Sequence, residues 1–331
     1  MIHIAVDAMG GDNAPESNVK GAVLALNENE DIKITLIGKE KQISKILKDQ
    51  KYDYKRLNIM NATETIETGD EPAKAVLKKK DSSLVLGMKM LKNKEADAFV
   101  SAGSSGAILV GGQIIAGYAG NVRRAPLVVE MPTMKGYSLL LDCGANVDAK
   151  PEYLVQFAVM GSIYAKYILG VENPTVGLLN IGTEEYKGNS LTRETYPLLK
   201  DCDKINFVGN VEAREITEGT CDVFVCDAFA GNIALKMFEG TAKTLLKMIK
   251  GSLMTSFKGK LGGLLIKPSL KSLISKVDAS EHGGAPLLGL SGLVMKAHGN
   301  STEKQIKYAI LQCIDFKKND LSDKIEKALA K

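Results

Sequence analysis

The sequence predicts an α/β protein built on a largely parallel sheet covered by helices on both faces, and three observations carry that reading. Short runs of aliphatic and β-branched residues alternate with helical patterns along the chain. The runs are apolar almost without interruption, as strands buried on both faces must be. Small and polar residues gather where the runs end, and an open parallel sheet binds its ligands outside the carboxyl ends of its strands.

The first strand is expected over residues 2–6, and the helical pattern of 16–27 returns the chain to a second strand over 32–37. Helical patterns follow at 42–48 and 84–92, before a third strand over 98–101. The uncharged stretch 98–122 is long enough to span a bilayer, yet it holds six Gly and several polar residues. A buried strand, a turn and a helix explain it better than a membrane span. Further strands are expected over 127–129, 139–141, 176–181 and 223–225, with a helix over 153–169 between the fifth and sixth. Neither an internal repeat nor a Pro/Ser-rich linker divides the 331 residues, which read as one α/β catalytic domain, 1–331.

One segment stands apart. Residues 240–277 carry eight Lys and no acidic residue. Leu245, Ile249, Leu253, Phe257, Leu261 and Leu265 recur there every four positions, an apolar stripe on a helix. Gly259, Gly262, Gly263 and Pro268 predict a helical hairpin with its tip near 259–267. Such a basic amphipathic projection can lie on anionic lipid, with Leu253, Phe257, Leu261, Leu264, Leu265 and Ile266 as the contacting side chains. The alternative is that the stripe packs on the protein or across a dimer.

Composition narrows the function. Trp is absent and aromatic residues make up 5% of the chain, so a base-stacking nucleic-acid platform is not expected. The net charge of +4 comes from 38 Lys and only 5 Arg, and bidentate phosphate or base clamps favour Arg. Five Cys without a C-x-x-C spacing read as scattered thiols of a cytosolic protein rather than disulfides or a zinc site. The opening Met1-Ile-His-Ile-Ala-Val-Asp7 lacks the basic and apolar regions of a secretory leader.

Candidate chemistry lies in the loops that follow the strands. Asp7-Ala-Met-Gly-Gly-Asp12 follows the first, with Asp7, Gly10 and Gly11 as candidate substrate contacts. Ser101-Ala-Gly-Ser-Ser-Gly-Ala107 follows the third, a small-residue turn opening an apolar helix, where Ser101, Gly103, Ser104, Ser105 and Gly106 are candidates to hold phosphate. Asp142-Cys-Gly-Ala-Asn146 follows the fifth. Asn180, Lys187 and Asn189 mark the loop after the sixth, and Asp227, Asn232 and Lys236 the loop and helix start after the seventh. Five such loops on one rim suggest a single cleft, although an Asp or Asn at a strand end can equally cap the next helix.

Familiar motifs are missing. Neither loop is a G-x-x-x-x-G-K-[ST] or a G-x-G-x-x-G, and G-x-S-x-G and H-E-x-x-H are absent. Of three His, His3 alternates within a strand and reads as structural. His282 and His298 flank a glycine-rich stretch, and Lys296-Ala-His-Gly could hold an anion and polarise a carbonyl. Lys187, Lys296 and His298 are therefore the candidate catalytic residues, with no metal site. No nucleophile in these motifs is paired to a base, so an acyl-enzyme is not expected.

These residues carry a family resemblance along essentially the whole chain. Asp7-Ala-Met-Gly-Gly-Asp12 with Ala14-Pro15, Leu140-Leu-Asp-Cys-Gly-Ala-Asn-Val-Asp-Ala-Lys-Pro-Glu152, Val155-Gln-Phe-Ala-Val-Met-Gly161, Val176-Gly-Leu-Leu-Asn-Ile-Gly182 with Lys187-Gly-Asn189, Asn206-Phe-Val-Gly-Asn-Val-Glu212 and His282-Gly-Gly-Ala-Pro-Leu-Leu-Gly289 resemble the bacterial phosphate acyltransferase family PlsX. Two positions depart from its pattern: Ser104-Ser105 stand where the family commonly has Asn-Thr, and Ala228 where it has Gly. The resemblance implies a Rossmann-like sandwich of the isopropylmalate dehydrogenase and phosphotransacetylase type. It implies a homodimer that moves a long-chain acyl group from acyl carrier protein to inorganic phosphate, with no cofactor. The acyl phosphate would feed phospholipid synthesis through a membrane acyltransferase acting on glycerol 3-phosphate. The enzyme is then expected in the cytoplasm, at the inner face of the cell membrane. A short-chain phosphotransacetylase, an isopropylmalate-type dehydrogenase and a membrane-recruited scaffold are the competing readings.

Overall fold

The structure, a computed structural model, describes residues 1–277 and 283–330, with 270–277 as backbone alone. Its strands are β1 (Ile2–Asp7), β2 (Ile32–Gly38), β3 (Leu57–Asn61), β4 (Ala98–Ser101), β5 (Val129–Thr133), β6 (Gly136–Leu141), β7 (Thr175–Asn180), β8 (Asn206–Glu212), β9 (Val223–Val225), β10 (Gly284–Leu287) and β11 (Leu293–Ala297). The helices are α1 (Glu16–Glu28), α2 (Glu40–Leu47), α3 (Pro72–Lys78), α4 (Ser83–Lys92), α5 (Ser105–Gly111), α6 (Pro151–Tyr167), α7 (Ser190–Lys200), α8 (Ala213–Glu218), α9 (Ala228–Leu253), α10 (Phe257–Val277), α11 (Glu303–Lys318) and α12 (Leu321–Ala328). A π-helical turn over Gly112–Ala116 extends α5.

Two sheets form the centre. One runs β10-β11-β4-β1-β2-β3 and the other β5-β6-β9-β7-β8. Every pairing is parallel except at one edge of each sheet, where β10 pairs antiparallel with β11 and β5 with β6. These two edges meet. Val128 N–H donates to Pro286 O at 3.0 Å and Leu288 N–H to Pro126 O at 3.1 Å.

The period-2 alternation of the strands divides the core into two layers, one on each face. Ile4, Val6, Val100, Leu141 and Val223 face one layer with side chains of α1, α6 and α11. Ala5, Phe99, Leu140 and Phe224 face the other with side chains of α4 and α5. Each layer draws on both sheets, so the apolar runs read from the sequence are strands covered on both faces.

Two expectations need correction. The strand placed over 127–129 begins at Val129, and Leu127 instead forms an isolated bridge to Leu287. The hairpin exists as α9 and α10, but its turn lies at 254–256 rather than 259–267. Met254 N–H closes α9 on Lys250 O and Gly251 O, and Ser256 Oγ accepts from Gly259 N–H at 3.0 Å to open α10. Side-chain capping thus outweighs the glycines, which sit inside α10 with Pro268. The stripe from Leu245 to Leu265 is therefore divided between two helices.

Candidate active site

Between the carboxyl ends of β4, β6 and β11 and the first turns of α5 and α9 lies a cleft of about 360 Å³. One wall is apolar, built from Ile108, Leu109, Leu127, Val129, Leu235 and Leu287. The polar side brings together Ser105, Asn232, Lys236, Glu239, Lys296 and His298.

Strand order explains this meeting. β11 lies beside β4 in parallel, with Lys296 in register with Ser101, so the Lys-x-His sequence ends a strand on the same rim as the serine loop. Asn232, Lys236 and Glu239 succeed one another at helical spacing on α9, so one face of that helix looks into the cleft. Asp227 begins α9 by accepting from Ala230 N–H at 2.9 Å. Asp142, fully buried at the end of β6, accepts from the N–H groups of Leu127, Gly144, Ala145 and Asn146, which fixes the opposite wall.

Besides His298, the ionisable groups that matter to the cleft are Lys236, Glu239 and Lys296, and Glu130, whose carboxylate accepts from the Tyr164 hydroxyl. Lys296 is partly buried and has no ion-pair partner among the described residues. Burial holds its ammonium below the usual lysine range, with Glu239 opposing and Lys236 adding to that shift. Glu239 Oε1 stands 3.8 Å from His298 Nε2. Burial pushes the Cys143 thiol, which lines the cleft, well above the usual thiol range, so it is no ready thiolate. The first N–H groups of α5, beside Ser105, have no carbonyl partner within the helix.

The residues anticipated from the sequence fall into several distinct places. Ser105, Asn232, Lys236, Lys296 and His298 line the cleft. Asp7 and Ser101 lie beneath it, buried, with Asp7 accepting from Met9 and Gly10 N–H and from Ser101 Oγ. Gly10 packs on this support so closely that a Cβ there would stand 2.7 Å from Gly103 N. Gly11, at φ +103°, packs against Gly299 O, while Ser104 begins α5 and Gly106 packs on Pro72. Away from the cleft, Lys187 pairs with Glu184 at 2.8 Å, Asn180 Nδ2 donates to Lys187 O, and Asn189 caps α7 through Thr192 N–H. Asp227 is a helix cap and does not line the cleft. His282 lies outside the described residues, and His3 is paired with Thr35 within the sheet. Glu239 escaped the sequence reading, because a single Glu on a long helix carries no motif.

On the hairpin, Phe257 is 83% and Leu265 74% exposed, and Leu261, Leu264 and Ile266 are exposed beside them. Leu253 is partly buried. No helix among the described residues is long and apolar enough to cross a membrane.

Comparison with known proteins gives concordant results. The family described as "Fatty acid synthesis protein" matches residues 2–324. A phosphate acyltransferase of Clostridium perfringens (strain SM101 / Type A) is 48% identical over 330 residues, 100% of this chain and 97% of the relative. A phosphate acyltransferase of Brevibacillus brevis is 48% identical over 331 residues, 100% and 98% of the two chains. The EutD phosphotransacetylase from Staphylococcus aureus shares the fold, with a TM-score of 0.62 at 16% identity over 96% of this chain and 94% of that one.

Proposed function

The chain belongs to the fatty acid synthesis protein family, that of the bacterial phosphate acyltransferases PlsX, and from that premise we propose that it transfers a long-chain fatty acyl group from acyl carrier protein to inorganic phosphate. One observation carries the reading: a single cleft sets Lys236, Lys296 and His298 against an apolar wall. Two ammonium groups attract a phosphate dianion, and the apolar wall suits the acyl chain.

Phosphate is a competent nucleophile near neutral pH, so the protein has to hold it, orient it and stabilise the oxyanion that forms as it attacks the thioester. Lys236 and Lys296 hold phosphate, with the α5 N–H groups and Ser105 on its other side. No acyl-enzyme is required, and the buried Cys143 thiol is poorly suited to form one.

The acyl phosphate formed is reactive and amphipathic, with a long apolar tail, and its consumer is a membrane acyltransferase acting on glycerol 3-phosphate. The exposed apolar side chains and lysines of α10 hold the enzyme at an anionic membrane surface, so the product enters the lipid phase where it is used. We read residues 1–331 as one catalytic unit from which 240–277 project. Along the α9 stem, Phe238, Leu245 and Ile249 line an apolar groove of about 610 Å³ with Met131 and Ile216. A second copy of the chain covers this groove in the proposed homodimer.

The test is a series of acyl donors of increasing chain length, offered on carrier protein and on coenzyme A with labelled phosphate. Acyl phosphate should form fastest from the long-chain carrier-protein donors. Preference for acetyl-coenzyme A would favour a short-chain phosphotransacetylase instead.

A further inference from the structure

We infer that Glu239 is a positioning residue for acyl transfer: its carboxylate holds the His298 imidazole at the cleft, so that the ring carries the phosphate proton to the leaving thiolate. This rests on the acyl-transfer reading above.

Three observations support it. Glu239 Oε1 stands 3.8 Å from His298 Nε2, within ion-pair distance. His298 is exposed just beyond the end of β11, and among the described residues no other carboxylate lies within ion-pair reach of its ring. A lone imidazole there would turn freely, and one carboxylate fixes both its tautomer and its direction. Finally, a carboxylate opposes anion binding, and of the two that line the cleft Glu130 is engaged by the Tyr164 hydroxyl, which leaves Glu239 as a cost to a cleft that only held phosphate. Glu239 nevertheless faces it, with Lys236 and Lys243 on its own helix and Lys296 and His298 on the facing strand and its end. His298, above all, holds the Glu239 carboxyl below the usual range, so it stays ionised.

The step balances without another reactant. An oxygen of hydrogen phosphate forms the C–O bond to the thioester carbonyl carbon. The C–S bond breaks and its electron pair stays on sulfur. With Nε2 turned to Glu239, Nδ1 is the nitrogen free to take the proton of the phosphate hydroxyl and return it to the thiolate. An imidazolium is a stronger acid than a thiol, so that return runs downhill.

Steady-state kinetics of Glu239→Gln, Glu239→Asp, His298→Ala and the double variant Glu239→Gln/His298→Ala test this, after thermal melts establish that each is folded. Glu239→Gln should lower kcat about tenfold to a hundredfold, with little change in the KM for phosphate. Glu239→Asp should recover part of the loss. The double variant should be no slower than His298→Ala, because Glu239 acts through His298. Multiplying losses, an effect confined to the KM for phosphate, or a wild-type rate for Glu239→Gln would each overturn the inference. An inactive wild type would instead count against acyl transfer itself, so the two failures are distinguishable.

Discussion

Ser101 Oγ donates to Asp7 Oδ2 at 2.7 Å, joining two loops 94 residues apart in sequence. The same Ser101 hydroxyl accepts from Gly103 N–H, and Asp7 Oδ1 accepts from Met9 and Gly10 N–H. This buried cluster fixes the turn that leads into α5 and so the position of Ser105 in the cleft. Asp7 and Ser101 thus act on the site from below.

Asp7→Ala removes the acceptor of this cluster and leaves buried donors unpaired. We expect it to cost about 2–4 kcal/mol of stability, read as a lower urea midpoint. An unchanged midpoint would mean that the two loops do not depend on the Asp7 carboxylate.

Lysines inside and outside the cleft should separate cleanly. Lys296→Ala should lower turnover about a hundredfold, the scale of one lost charge-stabilising donor. Lys187→Ala should stay within about threefold of wild type, because its ammonium is engaged by Glu184 away from the cleft. Comparable losses in both variants would place the Lys187 loop in the catalytic machinery.

Much of this arrangement was legible in the sequence, and the exceptions have physical causes. The apolar strands β1, β2, β4, β6, β7 and β9 and the loops after them stand out because both faces of each sheet are covered. The edge strands β3 and β8 carry Asn and Gly among their apolar residues, and β10 contains Gly284 and Pro286, so none reads as a strand. Missing β11 hid the more important fact. Lys296 and His298 read as candidates beside a glycine-rich stretch with no strand under them, yet Lys296 lies in β11 in register with Ser101 and His298 follows just beyond its end. The sequence also could not separate the loops that line the cleft, after β4 and β6, from the Asn180–Lys187 loop, because that distinction depends on strand order. The corrected hairpin turn has a local cause in Ser256, whose cap outweighs the helix-weakening effect of three glycines.

Burial depresses the affinity of Lys296 for its proton, so it becomes neutral at a lower pH than an ordinary lysine. If the charged form binds phosphate, kcat/KM for phosphate should fall on the alkaline side starting below the usual lysine value of about 10.4. In Lys296→Arg this limb should disappear upward, since a guanidinium stays charged. An alkaline limb at the same pH in both proteins would assign it to another group.

The hairpin makes a separate prediction. Wild-type protein should float with anionic liposomes at low salt, and Leu261→Glu/Leu264→Glu/Leu265→Glu should not. Three carboxylates on the exposed face of α10 oppose both the apolar contact and the surface potential. Equal flotation of both proteins, or none of the wild type, would remove the membrane role from 240–277.

The most direct test of the central claim is a single-turnover reaction of wild-type enzyme with acyl-labelled palmitoyl carrier protein and phosphorus-labelled phosphate, quenched over time. Transfer in one step within the cleft predicts acyl phosphate carrying both labels, formed in step with free carrier thiol, with no acyl label on the enzyme at any time. Acyl label that appears on the enzyme and then drains into product, or thiol release without doubly labelled acyl phosphate, would contradict it.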